Sequence, residues 1–438
     1  MLILGITFVP VIYYNIKCEH KYNKGHFVPK YYSKFQGGNK MPGLAKLAGK
    51  ISPSMTIAIT AKAKRMVEDG MDIVGFGAGE PDFDTPEYIA DAGVRAIREG
   101  KTRYTSAYGI DGLRREISKK LKTENGLDYE YDQIILSSGA KHSLSTAFQA
   151  ICDPGDEVIV PSPYWVSYPE MVTIAGGKPV IVKTLKENGF KITAGQLKDS
   201  ITSKTKALIL NSPANPTGSV YSRKELEEIA AVAVEKDIFV ISDEIYEKLV
   251  YDGAEHISIA SLGKKIKALT ILVNGMSKAY AMTGWRLGYA AAEPDVIKAM
   301  GSIQGHAISH PSSIAQYAGE AALKGDQSII DHMVREYDKR RKYALQRLDD
   351  IDGLEYLRPE GAFYVYISLE RLLGKAYKGK TINSSLVFAE LLLENAGVAV
   401  IPGAAFGDDT YIRISYATSM EQIEKGLDRI KEFVSQVE

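Results

Sequence analysis

The stretch VNGMSKAYAMTGWRLGY, residues 273–289, sets Lys278 among small residues directly after an apolar run, with Arg286 eight positions on. An amine with small neighbours at the end of a buried strand has little room for a hydration shell, and desolvation disfavours its ammonium form. The neutral amine that results attacks carbonyls and can form a Schiff base. An arginine in a glycine-rich, apolar stretch calls for an anion, and its guanidinium offers a phosphate several donors at once. Taken singly, each residue also has an ordinary reading: a lysine turned to solvent, an arginine in an internal ion pair.

Four other stretches change that balance. ISDEIYEKLVY ends a strand at Asp243, with Tyr246 three residues on. The carboxylate can hold a ring nitrogen protonated and the phenol can bond the same ring, although an aspartate there can also cap a helix. LNSPANPTG carries Asn215 in a turn, its amide within the chemistry of a phenolic oxygen. LSSGAKHSLSTAFQAIC reads as strand, turn and helix start, so the main-chain N–H groups at Gly139, Ala140 and Lys141 would face an anion together with Ser277 and Arg286. Trp165, in PSPYWVSYPEM, has a face that can stack on an aromatic ring or fill a core. An amine for an aldehyde, an acid for a pyridine nitrogen, a phenol and amide for a ring oxygen, an indole and a phosphate clamp together describe pyridoxal 5′-phosphate.

Positioning these groups is the work of βα units. QIILSS, DEVIVPSP, KPVIVKT, KALILNSP, IFVISDE and LTILVNG alternate with segments of helical period between about 130 and 290, the pattern of an α/β domain with a mostly parallel sheet flanked by helices. They end in Ser, Asn, Asp and Gly at strand carboxyl ends, where such sheets collect ligands. A helical stretch, IIDHMVREYDKRRKYALQRLDDI, leads to the strand candidates GAFYVYISL, GVAVIPG and YIRISYA, then to an amphipathic helix, MEQIEKGLDRIKEFVSQ. This predicts a smaller α+β domain over 326–438, joined by a segment at 41–85, around a large domain at 86–325.

Among 438 residues, Lys+Arg and Asp+Glu number 54 each, which supplies no overall field for nucleic acid or anionic lipid. Neither a nucleic-acid nor a membrane partner is expected. The two cysteines, Cys18 and Cys152, suggest neither a disulfide framework nor a metal motif and fit a reducing compartment, so a cytoplasmic location is expected. Residues 1–40 differ from the rest: LILGITFVPVIYY is too short to span a bilayer and lacks a basic leader, so this stretch is expected to be a poorly ordered arm or an over-long start ahead of Met41.

Stretches over nearly the whole chain after Met41, among them GAGEPDFDTPE, GKTRYTSAYGIDGLR, NSPANPTG, SDEIYE, NGMSKAYAMTGWRLGY, GAFYVY and RISYATS, resemble the class I, fold-type I aminotransferases. The resemblance is nearest to the bacterial and plastid aspartate/prephenate branch of the aspartate aminotransferase family. It implies that Lys278 forms the Schiff base, Asp243 pairs with the pyridine nitrogen, Asn215 and Tyr246 hold the ring oxygen, and Trp165 stacks. Ser277, Arg286 and the N–H groups at Gly139 to Lys141 would take the phosphate. Tyr104 matches a tyrosine that reaches the neighbouring subunit's phosphate, implying a homodimer with composite sites. Arg413 and Gly79 match the holders of the substrate α-carboxylate. Lys141 matches a lysine that takes a distal carboxylate, so aspartate or glutamate with 2-oxoglutarate or oxaloacetate is the expected pair. Thr56 and Lys141 also match residues associated with prephenate, while Ser52 stands where many prephenate-active relatives have lysine. Alanine or aromatic aminotransfer, and a non-catalytic regulator binding the same cofactor, are the alternatives.

Overall fold

The six apolar runs are strands of one seven-stranded sheet, ordered Ile134–Ser137, Gly288–Ala291, Thr270–Gly275, Phe239–Asp243, Thr205–Asn211, Glu157–Ser162, Lys178–Lys183, in a computed structural model that describes residues 43–438. The expectations for residues 1–40, Cys18 included, lie outside the described residues. The runs read as continuously apolar because both faces of the sheet are covered. Val158 and Val160 pack with Leu144, Phe148 and Ile297 on one side. Ile159, Leu208 and Val240 pack with Leu226, Ile229 and Ile266 on the other. The alternation of neighbouring residues between two cores follows from the strand period of two.

Sequence reading missed the seventh strand, Gly288–Ala291, which runs antiparallel to both its neighbours. Its four residues begin with a glycine and merge with the Lys278 motif, so no apolar run marks it. The strand decides where the chemistry lies. It pairs Gly288 with Gly275, so the chain leaves the Thr270–Gly275 strand and returns beside it, and residues 276–287 form a loop held at one end of the sheet. Ser277, Lys278 and Arg286 all ride on that loop.

Three glycines let the loop's roots meet the helix Ala140–Ile151. A Cβ on Gly288 would lie 2.3 Å from the Ala140 nitrogen, and one on Gly275 would lie 2.9 Å from the Gly288 Cα. Gly139, with φ of 80°, turns the chain from the strand Ile134–Ser137 into that helix.

A second sheet is antiparallel, ordered Ile401–Pro402, Tyr411–Ser415, Tyr364–Ser368, Glu355–Tyr356. The run GVAVIPG, read as one strand, is two short pieces: Val398–Ala399 pairs in parallel with Val74–Gly75, and Ile401–Pro402 turns onto the Tyr411–Ser415 strand. The helix Ser328–Asp349 and the terminal helix Met420–Ser435 pack over this region, the latter burying Ile423, Leu427, Ile430 and Phe433 at helical spacing. Near the amino end, the helix Met55–Glu68 begins at Ser54, whose hydroxyl accepts from the Ile57 N–H at 3.4 Å. Among the described residues no helix is long and apolar enough to cross a membrane.

Alanine for glycine inside a strand ordinarily stabilises. Gly288→Ala is expected to do the opposite, by about 1–3 kcal/mol, because the new methyl meets main chain that cannot rotate away. A lower urea midpoint at fixed protein concentration checks this; an unchanged midpoint would mean that strand and helix start separate freely.

Candidate active site

Lys278 follows a strand buried along its whole length. Its Nζ donates to the Gly79 carbonyl and lies 5.7 Å from the ring centroids of both Tyr246 and Phe363. Burial pushes the amine down to about 8; Arg413 and Arg286 add to the fall, and Glu80 and Asp243 oppose it. The amine is therefore about half neutral near pH 8, where an ordinary lysine is almost wholly charged.

Asp243 closes the Phe239–Asp243 strand and is 4% exposed. The Tyr168 hydroxyl donates to its Oδ2 at 2.6 Å and the Ile245 N–H to its Oδ1 at 3.3 Å. Burial pushes the carboxyl up to about 6 even so, with Glu244 contributing and the two hydrogen bonds and Lys278 opposing. The neighbouring Glu244 is buried too, and its own hydrogen-bond partners are Ser242, Ser258 and His256, at 2.8, 2.7 and 3.0 Å.

Arg413, on the Tyr411–Ser415 strand, is 2% exposed. Its Nη1 donates to Asn215 Oδ1 and its Nη2 to the Gly77 carbonyl, both at 2.9 Å, and the guanidinium carbon sits 4.2 Å over the Tyr364 ring. All these partners are neutral, and Nε has none among the described residues. Burial accordingly pulls its pKa below the usual arginine value. A buried cation without a counter-ion is costly and calls for an anion. Tyr246 and Tyr364 face each other with hydroxyl oxygens 2.8 Å apart, and burial holds the Tyr246 phenol neutral.

At the opposite end, Arg286 adopts a left-handed φ of 56° and its Nη1 donates to the Thr283 carbonyl at 2.9 Å. A Cβ on Gly139 would lie 2.5 Å from the Arg286 Nη2, so the guanidinium rests on the start of the Ala140 helix, where the Ala140 and Lys141 N–H groups have no main-chain partner among the described residues; the Gly139 N–H, expected to face the same anion, instead donates to the Ser137 carbonyl at 2.8 Å. Lys141 holds its ammonium 4.9 Å over the Trp165 ring, and desolvation together with Arg286 lowers its pKa.

These groups line one cavity of about 390 Å³: Gly79, Ala140, Lys141, Trp165, Asn215, Asp243, Tyr246, Ser277, Lys278, Arg286 and Arg413, with Thr56 beside them. Gly139 stands behind Arg286. Tyr104 is not among them; it is 90% exposed, edge-on to His310 at 5.7 Å. The cavity also includes Tyr168, Tyr364, Glu80 and Thr283, to which sequence reading gave no role. Tyr168 was within reach of it, three residues after Trp165 in a short helix-like register. Glu80, whose Oε2 accepts from the Thr283 hydroxyl at 3.0 Å, carried no signal, because only folding brings residues 80 and 283 together.

The sequence matches the family Aminotransferase class I and II over residues 71–430. The chain belongs to that family. An aspartate aminotransferase of Bacillus sp. (strain YM-2) is 48% identical over 391 residues, covering 89% of this chain and 99% of that one. A probable aspartate/prephenate aminotransferase of Aquifex aeolicus is 44% identical, covering 90% and 99%. The structure of the Thermus thermophilus aspartate aminotransferase with maleate superposes with a TM-score of 0.85 at 44% identity, covering 90% and 100%. This aminotransferase has the fold-type I architecture of its relatives, and its cofactor is pyridoxal 5′-phosphate.

The residues present fit that cofactor. The volume is that of a small-molecule site. The cavity presents Arg286, Ser277 and a helix start to an anion, together with a lysine amine of lowered pKa and a buried carboxylate held by the Tyr168 hydroxyl. Gly139 has no space for a side chain beside Arg286, as a tight anion cradle requires.

In apoprotein, acylation of Lys278 by an amine-selective reagent is expected to rise with a midpoint near pH 8, below the surface lysines, since only the neutral amine reacts. Peptide mapping across pH 6–11 measures it; a midpoint matching ordinary lysines would contradict the desolvated setting.

Proposed function

We propose that this aminotransferase moves amino groups between a dicarboxylic amino acid, aspartate or glutamate, and 2-oxoglutarate or oxaloacetate, as a cytoplasmic homodimer. The observation that carries the reading is Arg413: buried and, among the described residues, hydrogen-bonded only to neutral groups with no partner at Nε, it suits the two-pronged capture of a substrate α-carboxylate. The Gly79 main chain sits at the same end of the cavity and assists. Lys141, at the phosphate end, takes the distal carboxylate. The reducing-compartment reading of the cysteines supports the location. Tyr104, 90% exposed, is available to the second subunit's phosphate site. Residues 86–325 serve as the large domain, and 41–85 and 326–438 as the small one.

Bound pyridoxal phosphate supplies an electron sink for the charge released at the substrate Cα. The chain's own groups do the rest. Arg286, Ser277 and the N–H groups of Ala140 and Lys141 would hold the phosphate; Trp165 would cover the ring, and Asn215 and Tyr246 would hold its oxygen. Asp243 keeps the ring nitrogen protonated. Lys278 would present its amine to the cofactor aldehyde and, as a neutral amine, would serve as the base for the substrate Cα proton. Burial that lowers the Lys278 pKa makes it a base matched to neutral pH.

A second reading adds prephenate to the acceptors. It is favoured by Thr56, whose Oγ1 is buried in the cavity wall with no partner among the described residues. The similarity to the probable aspartate/prephenate aminotransferase of Aquifex aeolicus supports it, and Ser52 speaks against it.

Lys278→Ala is expected to abolish aspartate:2-oxoglutarate turnover while the cofactor still binds; turnover at the parent rate would refute the assignment. Lys141→Ala is expected to raise KM for aspartate and glutamate about tenfold, roughly 1.4 kcal/mol, and to leave KM for alanine nearly alone. An equal change for all three donors would remove Lys141 from distal-carboxylate recognition. A donor panel run against 2-oxoglutarate, oxaloacetate and prephenate separates the two readings.

A further inference from the structure

We propose that Tyr168 is a positioning residue for Asp243: its hydroxyl holds the carboxylate anionic and fixed in the cavity wall, and through it governs the grip on the cofactor ring. The inference rests on the reading of Asp243 as partner of the ring nitrogen. Tyr168 is 3% exposed, and its 2.6 Å bond to Oδ2 is the shortest Asp243 makes. The proton in that bond belongs to the phenol, because burial and Asp243 itself hold the Tyr168 hydroxyl well above its ordinary value. The donor therefore does not titrate over any pH at which the protein works.

Few other groups favour the anion. From its own segment Asp243 faces Glu244, which opposes the charge, and the neutral Tyr246; from the loop after Gly275 it faces Lys278. Lys278 is itself drawn toward the neutral form. Without the Tyr168 hydroxyl the acid keeps the Ile245 N–H at 3.3 Å against full burial, and desolvation wins. A neutral acid carries no negative charge, so a protonated ring nitrogen would lose its counter-charge.

Tyr168 also fixes geometry. It opens the short helix Tyr168–Ile174, its N–H donates to the Trp165 carbonyl at 3.0 Å, and its ring meets the Trp165 indole edge-on at 5.3 Å. One side chain thus ties the indole to the acid.

The test titrates Asp243 in apoprotein by isotope-edited infrared of labelled aspartate, with Asp243→Asn as the difference reference, and compares the acid limb of kcat in holoenzyme. In Tyr168→Phe the carboxyl midpoint is expected to rise by about one pH unit or more, with the acid limb of kcat rising alongside it. Tyr168→Gln, which restores a donor, is expected to bring both back toward the parent. Tyr168→Met repeats the test if the phenylalanine variant folds poorly. An unmoved midpoint in a folded donor-free variant overturns the inference. A raised midpoint with a stationary acid limb leaves the hydrogen bond standing and overturns instead the reading of Asp243 as the ring partner.

Discussion

Backbone meets backbone at Gly139, Gly275 and Gly288, and the site exists because nothing larger stands there. The antiparallel strand must lie against the first turn of the Ala140 helix for the loop 276–287 to return beside its own start. That contact brings anion-binding N–H groups, an arginine and a lysine into one cleft. Any side chain at Gly288 would push the helix start away from the Lys278 loop, separating the anion end of the cavity from the amine end.

Within the cleft, desolvation outweighs pairing. Lys278 has two carboxylates in its neighbourhood, yet burial and two arginines carry its amine down to about 8. Asp243 has a phenol, an amide N–H and a lysine in its favour, yet burial carries it up to about 6. The two groups are thereby drawn toward each other on the pH scale, a condition under which one can act as base while the other remains charged. Arg413 takes the same cost with no carboxylate partner among the described residues, which leaves it a buried cation held only by neutral groups there.

The two sheets divide the labour. The mostly parallel sheet ends its strands at Asn211, Asp243 and Gly275, all at one end, and so places Asp243 and the Lys278 loop in the cavity wall. The antiparallel sheet supplies Arg413 and Tyr364 from adjacent strands. The Asn215 amide oxygen, tied to Arg413 at 2.9 Å, joins the two sets, and the segment around Gly77 and Gly79 bridges Arg413 and Lys278 through its carbonyls.

Much of this was legible beforehand. Apolar runs bounded by Ser, Asn, Asp and Gly determined six strands and their carboxyl ends, because burial on both faces leaves a composition that no other element shares. The types of Lys278, Asp243, Trp165 and Arg286 determined the chemistry, because each side chain has few uses when it is placed where water is scarce. Tertiary structure alone decided the rest. A four-residue strand beginning at glycine has no periodicity to read, yet its pairing on both edges places the loop that carries Ser277, Lys278 and Arg286. The bond between Tyr168 and Asp243 spans 75 residues, and that between Thr283 and Glu80 spans 203. Sequence determines what each side chain can do, from its own atoms; which partner it meets, and how much water is left between them, is set only when distant segments close on one another.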